Sequence, residues 1–107
     1  MSRPLKVQIV ERARELIADE QHWCRRHLAL DANGVVVSPT SARAAKLCAL
    51  GAVVAAAYQL TKDFDAANQL AQEVLGAHYR AATLMHVNDT RGHQAVIALF
   101  DEVIEAG

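Results

Sequence analysis

The sequence predicts a mainly α fold: a compact single domain of four to five helices over residues 1–107, with a small β-hairpin near residues 25–37. Three observations predict it. Alanine supplies 21 of the 107 residues, which favours helices and close packing between them. Apolar residues recur at helical spacing in separate stretches of the chain. Between two of those stretches lies Asp31-Ala32-Asn33-Gly34, followed by Val35-Val36-Val37. Asn-Gly is a strong hairpin signal because both residues tolerate positive φ, and a β-branched triplet suits a strand.

Each element has its own reason. Leu5, Ile9, Ala13, Leu16 and Ile17 form one face of a first helix over residues 4–18, with Pro4 in its opening turn. Residues 25–30 and 35–37 are the two arms of the hairpin. The competing reading continues a helix from residue 20 to residue 30 and ends it at Asn33-Gly34. Ser38-Pro39-Thr40-Ser41 reads as a turn that caps a second helix over residues 42–60. From Leu47 to Tyr58 that helix is apolar on all sides, so protein surrounds it. Gly51 within it marks close approach by another backbone or a large side chain. A third helix starts after Asp63 or Asp65 and ends near Leu75, with Gly76 as its cap. A short fourth covers residues 77–85. Residues 87–92 read as a loop in which Asp89 or Thr90 caps the last helix. Val96, Ile97, Phe100, Val103 and Ile104 are the stripe of that helix.

Composition excludes several function classes. The net charge is −1 with histidines neutral, which offers no basic stripe for nucleic acid or for an anionic membrane surface. Twelve apolar residues in a row fall short of a membrane span. Two cysteines are too few for a secreted disulfide scaffold. Met1-Ser2-Arg3-Pro4 leads straight into mixed charged and apolar residues, so no signal peptide is read. The expected setting is soluble and cytoplasmic.

The residues with chemical potential are Trp23, Cys24, Asp31, Cys48, Asn88, Asp89, Arg91 and His93. One reading makes them a thiol site: Cys24 as nucleophile, His93 as base, and Asn88 or Asp89 as the group that orients the base. A metal site would need both cysteines, His93 and either Asp89 or Asp31. No Cys-x-x-Cys or His-x-x-x-His spacing supports that, so no metal and no cofactor are expected. A Cys24–Cys48 redox pair depends on the fold bringing two residues 24 positions apart together. Gly92 and the amides of the last helix, with Arg91 beside them, would suit an anion. The plainer account makes Asn88 and Asp89 caps of the last helix, with His93 bonding back to the loop. Trp23 then anchors the core, and Asp31 or Asp89 takes its indole N–H.

Several blocks together resemble a known family. They are Trp23-Cys24 with Ala29, Asp31 and Gly34; Cys48-Ala49-Leu50-Gly51-Ala52; Asn88-Asp89; and His93 with Val96, Phe100-Asp101 and Ile104. The pattern, from Ala13 to Ile104, is similar to a family of small bacterial and phage proteins known as a domain of unknown function. That family often places Trp before Asn-Asp, where this chain has Val87. The resemblance implies a complete domain. It implies no activity, substrate or cofactor.

The function expected from these readings is a small non-catalytic binding or protein-interaction module, with a protein partner or a second copy of the chain as its target. The alternative is a small thiol-dependent hydrolase or transferase using Cys24 and His93.

Overall fold

The computed structural model describes residues 4–78 and 81–106. Five helices carry it: α1 (Leu5–Leu16), α2 (Ala49–Thr61), α3 (Phe64–His78), α4 (Ala81–Thr90) and α5 (His93–Ala106). A 3-10 turn at Glu20–His22 and two short strands, β1 (Ala29–Leu30) and β2 (Lys46–Leu47), lie between α1 and α2. The expected class, helical with a small antiparallel sheet, is what the chain adopts.

Helix α2 is the centre. It packs on α1 and α3 most extensively, and also on α4 and β2. Ala49, Ala52, Val53, Ala55, Ala56 and Ala57 are all buried along it. Small side chains on several faces let neighbouring helices approach from several sides. Phe100, Ile9, Ile17, Leu84 and Val10 fill the spaces around it. The Cα radius of gyration is 12.5 Å, against the roughly 13 Å expected of a folded 100-residue domain. The described residues share one hydrophobic core cluster. Polar ties sit at its rim. Arg14 Nε donates to Asp101 at 2.6 Å, linking α1 to α5, and Arg12 Nε donates to Gln59 at 2.7 Å, linking α1 to α2.

The elements depart from the sequence expectation in four places, each with a physical reason. The hairpin turn forms, but it is held by a single bridge between Leu30 and Val36. The Asp31 carboxylate accepts the Asn33 and Val35 N–H groups at 2.8 and 2.9 Å. A side chain thus takes a donor that a longer ladder would use. Strand β1 finds its regular partner in β2, antiparallel, with Ala29 opposite Leu47.

Second, α2 begins at Ala49, seven residues later than its expected start. Ser38–Ser41 makes local turns instead, closed by Ser38 Oγ to Thr40 and by the Arg43 N–H to Ser41 Oγ. Residues 46–47 are then drawn into the sheet.

Third, α3 continues past Gly76 to His78. Residues 77–78, the expected start of the fourth helix, belong to α3, and residues 79–80 of that expected helix lie outside the described residues. Fourth, α4 extends through the predicted loop to Thr90. The Arg91 and Gly92 N–H groups both return to the Val87 carbonyl, at 2.9 and 3.3 Å. Gly92 takes φ +90°, which ends the helix and turns the chain into α5.

Candidate functional site

Asn88 sits in the last turn of α4 and is fully buried. Its amide uses every hydrogen-bonding position it has. Oδ1 accepts the Trp23 indole N–H at 2.7 Å and the Ala49 backbone N–H at 2.9 Å. Nδ2 donates to the Cys24 carbonyl at 3.1 Å and to Asp89 Oδ1 at 3.0 Å. The partners fix the amide orientation, since a flipped group would set donors against donors. One side chain therefore ties α4 to the Trp23 segment and to the start of α2.

This corrects the expected capping role. Asn88 and Asp89 do not cap the last helix, because they still belong to the helix before it. Asn88 satisfies a free donor at the start of α2 instead. The N-cap residue of α2 is Cys48, whose sulfur accepts the Gly51 N–H at 3.3 Å. Sulfur is a weak acceptor, so the oxygen on the Ala49 amide comes from across the fold. Trp23 likewise gives its indole N–H to Asn88, and not to Asp31 or Asp89 as anticipated.

Asp89 serves the neighbouring loop. Its Oδ1 accepts the Arg26 backbone N–H at 2.9 Å, and Arg26 is held at φ +69°. Partial burial pulls the Asp89 pKa upward. The Arg26 N–H, the Asn88 amide and the charges of Arg26 and Arg25 outweigh it, and hold the carboxyl below its ordinary value.

His93 opens α5. Its Nε2 lies 2.5 Å from the Ile17 carbonyl, the C-cap residue of α1. A carbonyl can only accept, so Nε2 carries the proton and caps α1 from outside. Nδ1 is buried with no hydrogen-bond partner. The ring leans against Trp23, with centroids 5.7 Å apart and planes at 60°. Arg25 stands over the Trp23 ring at 5.2 Å. A Cβ on Gly92 would meet the Arg25 guanidinium at 2.9 Å, so Gly92 leaves room for this cation as well as turning the chain.

Both cysteines are free and buried. The Cys24 thiol points to the His27 carbonyl at 3.4 Å, and Cys48 Sγ lies 3.9 Å from Met85 Sδ. Burial, helped by the nearby Cys48, pushes the Cys24 pKa up to about 11. Burial also raises the Cys48 pKa, against the pull of the Gly51 and Leu50 amides. Neither sulfur has His93 as a hydrogen-bond partner.

The structure thus brings together Trp23, Cys24, Cys48, Asn88, Asp89 and His93. Asp31 stands apart, on the hairpin turn, where it lines an open cavity of about 340 Å³ with Ala32, Asn33 and Arg43. Arg91 is exposed at the end of α4. Among the described residues, no group of three His, Cys, Asp or Glu side chains is placed to hold a metal ion. No described helix is long and apolar enough to cross a membrane. Sequence reasoning missed Arg25, the Ile17 carbonyl and the Ala49 amide. Backbone groups carry no residue-type signal, and only the position of Arg25 two residues after Trp23 could have pointed to it.

No curated protein and no solved structure matches the chain. A family profile does, over residues 1–106: the chain belongs to DUF6197, a family of unknown function.

Proposed function

We propose that this protein is a small non-catalytic binding module that acts through protein contacts in the cytoplasm. The supporting observation is that its chemically capable side chains are already engaged in holding the fold. Asn88 has no hydrogen-bonding position left, and His93 Nε2 is bound to Ile17. Both thiols are buried, with pKa values pushed away from the range where a thiolate forms readily.

The surface offers contact area of a different kind. Leu28, Val35 and Val36 are 40, 58 and 59% exposed on the β1 hairpin. Paired apolar residues at an exposed strand edge suit association with another chain, a second copy being the simplest partner.

The rival reading, a thiol-dependent hydrolase or transferase, draws on the partnerless His93 Nδ1. Iodoacetamide alkylation across pH separates the two. The binding-module reading expects slow alkylation that accelerates only above about pH 9. Fast alkylation of Cys24 near neutral pH, abolished in His93→Gln, would overturn it. Sedimentation equilibrium of the wild type beside Val36→Lys tests for the second copy.

A further inference from the structure

The polar lock leaves the pairing of the two thiols unexplained. Trp23 bridges Leu47 in parallel, and the Cys24 N–H extends that bridge to the Leu47 carbonyl at 3.1 Å. Cys24 and Cys48 are the next residues on the two chains. In a parallel pair, residues at equal register leave the same face. Chains paired in a sheet lie about 5 Å apart, and a disulfide joins Cα atoms roughly 4.4–6.8 Å apart. The cysteines stand one residue past a pair that meets this spacing. Their proximity is also felt electrostatically: after burial, Cys48 is the largest influence raising the Cys24 pKa.

We propose that Cys24 and Cys48 are a redox pair, and that the dithiol closes into an intramolecular disulfide on reaction with a low-molecular-weight disulfide such as oxidised glutathione. Cys24 is the entry point, being 7% exposed where Cys48 is fully buried. Its thiolate attacks one sulfur of the oxidant and displaces the first glutathione thiolate. The Cys48 thiolate then attacks the Cys24 sulfur of the mixed disulfide and displaces the second. The two cysteines lose two electrons, and their two protons end on the two glutathione thiols released.

The bond would close a ring over residues 24–48. That ring holds Arg25, Arg26, the hairpin and both strands, and it fastens them to the N-cap of α2. Burial makes the exchange slow at neutral pH, so the pair responds to a sustained change in redox poise. It is independent of the binding-module reading, because no partner enters the test.

The test uses the whole chain and avoids the question of access. The wild type is equilibrated in glutathione buffers of fixed poise, once under native conditions from the refolding direction and once in denaturing guanidinium chloride. Acid quenching and alkylation then give the ratio of internal disulfide to dithiol by intact mass. The native ratio is expected to exceed the denatured one by about tenfold or more, with the melting temperature of the oxidised form raised accordingly. A native ratio equal to or below the denatured one would overturn the proposal. So would a refolded protein that carries glutathione on its cysteines and no internal bond.

Discussion

Asn88 shows how much a single side chain can be asked to hold. Its four partners are two backbone groups, an indole and a carboxylate. Asn88→Ala leaves all of them without it, two being backbone groups of buried residues. The expected loss is about 3–5 kcal/mol, measured by urea denaturation. Asn88→Asp keeps the shape but turns a donor into an acceptor facing the Cys24 carbonyl and Asp89. It should cost at least as much as alanine despite being nearly isosteric. A loss under about 1 kcal/mol for Asn88→Asp would mean that these bonds carry little. The residue was legible in the sequence as the first of the polar run from Asn88 to His93. Three of its four partners were not, because they lie 39 to 65 positions away and two of them are backbone atoms.

At the scale of elements, Gly51 is the sharpest case. In an ordinary helix, alanine is better than glycine by about 1 kcal/mol. Here a Cβ would fall well inside the van der Waals shell of the Leu28 carbonyl oxygen and 2.9 Å from the carbonyl carbon. Leu28 cannot retreat freely, because that carbonyl accepts the Cys48 N–H at 3.1 Å. Gly51→Ala is therefore expected to destabilise by about 2–4 kcal/mol, the reverse of the propensity effect. Thermal melting decides the sign. Close approach at Gly51 was readable from one glycine in an apolar helix. Four of the five helices were readable from apolar spacing, which reports burial directly; the short fourth helix, α4, showed none. The start of α2 was not. Residues 42–48 have helix-compatible composition, yet Lys46–Leu47 pair with β1 and the Trp23 segment bridges the same strand. Such pairing is decided by distant chain and leaves no local periodicity.

For the molecule as a whole, ionisation sets a pH window. Asp89 has its pKa lowered in the fold, so its contribution is present above the ordinary value of 3.8 and is lost as pH falls through the depressed one. Cys24 is shifted the other way. Its folded pKa of about 11 stands above the ordinary 9.0, so its contribution is complete below pH 9.0 and disappears as pH rises toward 11. Linkage puts that loss at about 2–3 kcal/mol. Denaturation midpoints taken across the alkaline range should fall steeply in the wild type and less steeply in Cys24→Ala. Equal slopes would show that the buried thiol does not govern alkaline unfolding. The choice between a sealed lock and a reactive site could not be read from residue types, because cysteine, histidine and asparagine serve either. The choice turns on burial and bond partners, and both are properties of the assembled chain.

The Asn88 lock also has a consequence in time. It joins stretches of chain 39 to 65 positions apart, so it is expected to close late in folding and to open early in unfolding. Bonds made after the folding transition state do not hasten arrival at the native structure; they delay departure from it. Residues with the look of a catalytic set would then act as a brake on unfolding, and set how long the folded protein lasts.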